Sequence, residues 1–449
     1  MSEGGLKAPI RHRVDWRNPD FHDSSSLDIE MRRVFDVCHG CRRCFNLCDS
    51  FPRLFDLIDE TETGEIDQVK SENFFQVAEA CTLCDMCYMT KCPYVPPHEF
   101  NIDFPHLMLR YRSFLRKNGR LSFIANFLSQ VDLVANLVRL QSNLFNWFAS
   151  KKNKFFRLIL DTFLKIDKNS VLPTFSKNTL VQSIKNKKFT LEVINEDAPA
   201  FGKKVVIFAT CYVNNNDIET GVAAQKVLAK NGIDAKIIYP GCCGMPLLEQ
   251  GNMEGLTKQA EPIIDELEMW INKGYDIVTL TSSCGLMLKS EWSLILDNEY
   301  VIKSKFISKR VYDICEYIVL MANSKGLADG MSPLEKKVTL HHSCHSRAQN
   351  MGTKSLEMLK LIPSIKIDFV EKCSGHGGTF GVVKPTHKIA EKIGTKVVKT
   401  SIQKSDFIVS DCPLACKHLH HMGLETKTDV FFETKTAHPI EIFCQSYNL

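Results

Sequence analysis

The chain has 449 residues, 44% hydrophobic and 24% charged, with a formal net charge of +4. That balance describes an ordinary globular protein of about three domains and excludes a disordered or fibrous chain. No uncharged apolar run approaches the roughly 18 residues needed to span a bilayer, and Met1 to Trp16 has charges without an apolar core, so no export signal is expected.

Residues 1–25 read as a polar arm. A helix follows, with Leu27, Met31, Val34 and Phe35 on one face, and leads into Cys38. Cys38, Cys41 and Cys44 stand three apart with Cys48 beyond, and Cys81, Cys84, Cys87 and Cys92 repeat the arrangement. Such runs wrap one face of a [4Fe–4S] cube, and in two-cluster ferredoxins the fourth cysteine of each run reaches the other cube. The second run ends Cys92-Pro93, as the bacterial pattern does, although four residues rather than three precede Cys92; the first ends Cys48-Asp49. The expected ligand sets are Cys38, Cys41, Cys44 and Cys92 for one cube and Cys81, Cys84, Cys87 and Cys48 for the other. Zinc is the alternative, but a third cysteine three residues on is redundant for a tetrahedral ion. A disulfide framework of this density belongs to short secreted chains. Eighteen cysteines here point instead to metal ligation in a reducing, cytosolic compartment.

Between the runs lie a polar turn at 61–67 and a short helix at 74–80. Residues 26–110 are therefore expected to be a small, mainly helical two-cluster domain in which cubes replace much of the apolar core. Residues 111–200 form a basic amphipathic linker. Residues 101–190 hold 16 Lys or Arg against 4 Asp, but no base-reading module accompanies them, and no nucleic-acid partner is expected. Phe123, Ile124, Phe127, Leu128, Val131, Val134 and Val138 share one helical stripe. Leu140, Leu144, Phe145 and Phe148 make a second, followed by Lys151, Lys152, Lys154 and Arg157. A helix so built lies either on its own protein or on an anionic membrane surface.

Pro199 and Gly202 precede a change of pattern. Apolar strand-type runs at 205–209, 235–239 and 276–281 alternate with helices at 218–231 and 254–273, which argues for a parallel sheet. These strands end near Cys211, Cys242-Cys243 and Cys284. After a break at Gly326, Gly330 and Pro333, strands at 337–341, 365–370 and 407–410 end near Cys344, Cys373 and Cys412. The landmark cysteines recur at a near-constant offset of about 130 residues, so 203–325 and 334–449 are an internal duplication. In open parallel sheets, functional groups gather beyond the carboxyl ends of the strands. Three strand ends side by side would assemble one metal site per half.

The half-motifs Cys211, Cys242-Cys243-Gly244 and Cys284, and Cys344-His345, Cys373-Ser374-Gly375 and Cys412, resemble the CCG cysteine-rich domains. Such domains occur in heterodisulfide reductase and in iron–sulfur subunits of glycolate, lactate and anaerobic glycerol-3-phosphate dehydrogenases. Cys211-Tyr-Val-Asn214, Cys243-Gly-Met-Pro246 and the glycine loop Gly375–Gly381 are further matches, over about residues 30–110 and 203–449. The resemblance implies a mainly helical ferredoxin-like domain followed by two α/β CCG domains with short parallel sheets. It also implies an electron conduit that takes electrons from a flavoprotein dehydrogenase subunit and passes them to a quinone or another acceptor at the membrane. A cytoplasmic location, peripheral on the inner face of the membrane, would follow.

The chain departs from the heterodisulfide-reducing members, which use five cysteines per half. Met287 stands where a further cysteine would be, Ser374 follows Cys373, and three residues rather than two separate Cys412 from Cys416. Each half thus offers four thiols, Cys211, Cys242, Cys243 and Cys284 in one and Cys344, Cys373, Cys412 and Cys416 in the other, for one or two further iron–sulfur clusters. Two rival readings remain: a self-contained thiol/disulfide reductase, and a structural zinc protein used in assembly. No acid–base pair or nucleophile triad is evident, so the expected chemistry is electron transfer. His341, His342, His345, His376 and Arg347 flank the second half's cysteines as supporting groups, Arg42 and Arg43 lie inside the first run, and Cys315 and Cys444 are expected to be inert buried thiols.

Overall fold

The computed structural model describes residues 9–121, 123–426 and 428–449, so the first eight residues of the expected arm lie outside it. Asp23 caps the first long helix, Ser24–Cys41, by accepting from the Ser26 N–H at 2.7 Å, and Leu27, Met31, Val34 and Phe35 are its buried face. This helix runs through Cys38 and Cys41 and stops at Arg42, whose left-handed φ of 50° turns the chain out. The helices Ser50–Asp59 and Phe74–Ala80 complete the first layer, and Phe104–Lys117 packs across them. Phe35, Phe51, Phe74 and Phe104 form its aromatic centre, with Phe51 and Phe104 rings 4.6 Å apart.

Two parallel sheets follow. β1 (Lys204–Phe208), β2 (Asp234–Ile238), β3 (Asp276–Thr279) and β4 (Val311–Asp313) are ordered β2-β1-β3-β4. β5 (Lys337–His341), β6 (Lys366–Val370), β7 (Phe407–Ser410) and β8 (Lys435–Ala437) repeat that order as β6-β5-β7-β8. The alternation of side chains along β1 decides what the sheets bury. Val206 and Phe208 face a core shared with the helical layer, while Val205 and Ile207 face a core shared with Val338 and Leu340 of β5. One strand thereby ties all three parts together.

The basic linker carries, among the described residues, the short helices Phe123–Ser129, Val131–Arg139, Ser142–Ala149 and Lys154–Phe163 in succession, then Leu180–Lys185. Of the expected stripe, Ile124, Phe127, Leu128, Val131, Val134 and Val138 are half-buried and Phe123 is exposed, while Leu133, Leu137 and Leu140 also face outward. The linker is therefore apolar on two sides.

At the junction of the halves, Asp313 at the end of β4 and Asp411 beyond β7 are both fully buried. Asp313 caps the helix Ile314–Ser324, accepting from the Cys315 N–H at 2.8 Å. Burial and the facing Asp411 push the Asp313 carboxyl up to about 7. A folded value raised above the unfolded one gives stability that is complete below about pH 4 and lost as the pH rises through the folded value. Asp313→Asn keeps a cap acceptor without the charge. Wild type should lose about 1–2 kcal/mol between about pH 6 and about pH 8.5 that the variant retains. Denaturant unfolding at the two pH values reads the difference, and equal slopes would contradict the assignment.

Candidate metal centres

The last turn of Ser24–Cys41 carries Cys38 and Cys41, one helical turn apart on one face. Cys44 and Cys48 lie on the turns that follow. The second run starts where Phe74–Ala80 ends. Leu83 (φ 50°) and Asp85 (φ 62°) are both left-handed and curl the chain around Cys81, whose sulfur accepts from the Leu83 N–H at 3.4 Å. The extra residue before Cys92 is absorbed by a wide turn in which the Cys92 N–H donates to the Cys87 carbonyl five residues back, at 2.8 Å.

Thiols from the two runs lie near one another, as the crossed ligand sets require. Burial, then Cys92, Cys44 and Cys41, push the Cys38 thiol well above its usual range, and burial with Cys92 and Cys41 pushes Cys44 up to about 12. Burial, then Cys84 and Cys81, raise Cys48, and burial with Cys84, Cys81 and Cys48 raises Cys87. Thiolates this close and this dry repel one another unless a bound cation is shared among them. Among the described residues, no three His, Cys, Asp or Glu side chains close on one point as a single-ion site does. Zinc holds its sulfurs about 2.3 Å from one centre, whereas a cube carries its thiolates on separate corner irons. Four thiols per quartet fit a cube.

The strand-end cysteines gather as the topology requires. Cys211 follows β1 and opens the helix Cys211–Asn215; Cys242 and Cys243 follow β2; Cys284 lies in Ser282–Leu286 after β3. Their thiols lie near one another in series, Cys211 beside Cys242, Cys242 beside Cys243 and Cys243 beside Cys284. That mutual interaction, ahead of burial, raises Cys211 and Cys243 and lowers Cys242. Gly244, at φ 88°, turns the chain after the pair. Trp292 Nε1 donates to the Cys243 carbonyl at 3.0 Å, and Gln259 Nε2 to the Cys242 carbonyl at 2.6 Å.

Asp132 of the linker accepts from the Cys242 N–H at 3.0 Å and from the Tyr239 hydroxyl. Nothing in the sequence pointed to it, because it lies on the apolar linker 110 residues from its partner.

In the second half, Cys344 neighbours Cys373 and Cys412, and burial leads in raising its thiol. The Gly375 N–H reaches the Cys373 sulfur at 3.4 Å. Cys416 lies one turn into the helix Pro413–Thr426, and its thiol donates to the Ile408 carbonyl at 3.0 Å instead of joining the three. His341 is bound at both ring nitrogens, to Ser410 Oγ and the Lys372 carbonyl. Half-buried His345 and buried His376 line the same space, with Nε2 of His345 and both nitrogens of His376 without hydrogen-bond partners. Arg347 pairs with Glu371 at 2.9 Å, and Arg42 with Asp59. Cys315 and Cys444 are buried.

The halves face each other through Ser343 Oγ and Ser282 Oγ at 2.8 Å and Gln349 Nε2 on the Ser282 carbonyl at 2.9 Å. Between them a cavity of about 140 Å³ is lined by Cys211, Cys243 and Cys284 of one half and Cys344 and Cys412 of the other. The first-layer loop closes on this region, since Cys84 and Cys48 both neighbour Cys373.

A family model described as the CCG cysteine-rich domain matches residues 205–289 and 338–418. A subunit of the anaerobic glycerol-3-phosphate dehydrogenase of Escherichia coli (strain K12) is 26% identical over 329 residues, covering 72% of this chain and 77% of that protein. Lactate utilization protein A of Bacillus velezensis is 25% identical over 218 residues, covering 46% and 87%. That of Macrococcus caseolyticus is 27% identical, covering 46% and 85%.

Proposed function

We propose that this chain, which carries two CCG cysteine-rich domains, is the iron–sulfur electron-transfer subunit of a multi-subunit oxidoreductase. It would take electrons from a flavoprotein dehydrogenase subunit of the glycerol-3-phosphate, glycolate or lactate type and pass them toward a quinone or another acceptor. Residues 26–110 would be the two-cluster domain, 111–200 the linker, and 203–325 and 334–449 the CCG domains. The names of the relatives, one a dehydrogenase subunit and one a lactate utilization protein, support an oxidoreductase complex.

The observation that carries the reading is the continuity of thiols. Cys44 of the first quartet neighbours Cys87 of the second, and Cys84 of the second neighbours Cys373 and Cys344. Iron–sulfur centres, when bound, supply one-electron steps. The chain's part is to fix their order, keep water away and set the local field. The Leu83 and Gly375 N–H groups aim at ligand sulfurs and would stabilise the reduced, more negative state.

Anaerobically prepared holoprotein should accept several electrons from photoreduced flavin and release them to ferricyanide. It should not turn over a small disulfide unaided. Unaided catalytic disulfide reduction would favour the self-contained reductase instead.

Peripheral attachment on the cytoplasmic face of the membrane belongs to the same proposal. No helix among the described residues is long and apolar enough to cross a membrane. Leu137, Leu140, Trp147 and Phe163 are exposed in the segment that also bears Lys151, Lys152 and Lys154. Apolar and basic side chains together suit an anionic lipid surface. Leu137→Glu with Leu140→Glu should abolish sedimentation with phosphatidylglycerol vesicles. Absence of sedimentation by the unaltered protein would end this part.

A further inference from the structure

Beside the second quartet, and separate from the cavity between the halves, lies a second cavity of about 200 Å³. Its buried lining includes Ala78, Cys81, Leu115 and Phe380, and Ile124 and Ala125 of the linker helix Phe123–Ser129 close another side. The glycine loop makes part of the wall. Gly377 has a φ of 51°, and a Cβ there would sit 2.9 Å from Thr82 Cγ2, so only glycine lets this loop close on the residue after Cys81.

We propose that this cavity is the acceptor site, and that its ligand is the ring of a lipid-borne quinone. The inference rests on the electron-transfer reading and places the exit of electrons at Cys81. Three observations support it.

The walls are mostly apolar, as a ring without charge requires. Cys81, assigned above to the second quartet, lines the cavity, so an occupant would lie beside a ligand through which electrons could leave. Two exposed cations, Arg120 and Lys165, line it where it meets solvent, and both can donate to ring carbonyl oxygens. Arg112, also in the wall, is committed: its guanidinium donates to the carbonyls of Glu249 and Ala78 at 2.9 Å and to that of Cys81.

The way in follows from the same helix. Phe123, the residue before Ile124, is 78% exposed and begins the exposed apolar series of the linker. A molecule carried in lipid against that face meets the cavity without crossing water. The step balances as a two-electron reduction. The quinone takes two electrons, delivered singly from the reduced centres. It takes two protons from solvent at the cavity mouth, giving a hydroquinone and two oxidised one-electron equivalents.

The test uses full-length holoprotein reduced under argon and mixed with 2-methyl-1,4-naphthoquinone, with ferricyanide as an acceptor that needs no pocket. Wild type should be oxidised by the quinone with saturation. Ile124→Trp, which fills the cavity from the linker side and alters no ligand, should slow that oxidation about tenfold or more, equivalent to a lost binding term of about 1.4 kcal/mol. Ferricyanide oxidation and the EPR spectrum of the centres should stay unchanged, and Ile124→Val should restore the quinone rate. Arg120→Gln should raise the half-saturating quinone concentration several-fold at unchanged limiting rate.

Non-saturating oxidation, or equal quinone rates in wild type and Ile124→Trp, would overturn the site. Loss of the EPR signals in wild type itself would instead overturn the electron-transfer reading beneath it.

Discussion

Cys92→Ala should remove the same centre as Cys41→Ala, and Cys48→Ala the same centre as Cys84→Ala, although each pairing joins opposite cysteine runs. Cys92 neighbours Cys38 and Cys44, and Cys48 neighbours Cys84 and Cys81. The wide turn from Cys87 to Cys92 explains how Cys92 reaches over. An i→i+5 bond carries the chain one residue further than an α turn before it leaves in extended conformation. Each variant should lose about half of the N-terminal iron, one cube of two, and the two that remove the second cube, which holds Cys81, should drop quinone reduction to background. If Cys48→Ala and Cys41→Ala share one EPR spectrum, each run holds its own cluster and the crossed assignment is wrong.

Arg11→Met should cost about 3–5 kcal/mol, the typical consequence of stranding buried charges. The arm places Arg11 among three carboxylates: Asp85 at 2.7 Å, Asp103 at 2.9 Å and Glu291 at 3.1 Å, with the guanidinium 4.9 Å from the centre of the Tyr88 ring. Asp85 lies inside the second cysteine run, Asp103 caps the helix Phe104–Lys117, and Glu291 lies beyond β3 in the first α/β half. One cation thus ties three parts of the chain together. Without it Asp85 faces two carboxylates in a dry site, and the left-handed turn between Cys84 and Cys87 loses its anchor.

The variant should unfold at lower temperature and lose iron to a chelator faster than wild type, from the second quartet first. Arg11→Lys should rescue little, because a single ammonium cannot match the bidentate contact to Asp85 at 2.7 and 2.8 Å. A change within about 0.5 kcal/mol, ordinary for an exposed site, would show that the latch carries no load.

Contacts local in sequence, or repeated, were legible before the structure. The helix into Cys38 follows from apolar spacing and ends one turn later than its last apolar residue. The strands leading to Cys211, Cys242, Cys284, Cys344, Cys373 and Cys412 follow from short β-branched runs, each found within two residues of its expected place. β4 and β8 escaped notice because each is three residues long and lies at a sheet edge, where pairing rather than pattern defines a strand.

The linker misled in a different way. Its stripe implied longer helices, but Gln130 and Gln141 interrupt the segment and leave short ones that bury one side and expose another. Arg11, Asp132 and the orientation of Cys416 depend on partners far along the chain, and no spacing rule reaches them. Cys416 is the instructive case. Its distance from Cys412 looks like ligand spacing, yet its thiol donates to the Ile408 carbonyl, a partner that spacing does not reveal.

The central claim is that buried thiols from distant segments hold iron and sulfide in a continuous line. Iron, acid-labile sulfide and zinc, quantified on anaerobically reconstituted full-length protein together with its Mössbauer spectrum, test it most directly. The account predicts iron and sulfide in equal amounts, about eight or more of each per chain, with the spectrum of cubane centres. Zinc at stoichiometric levels with no sulfide would contradict it.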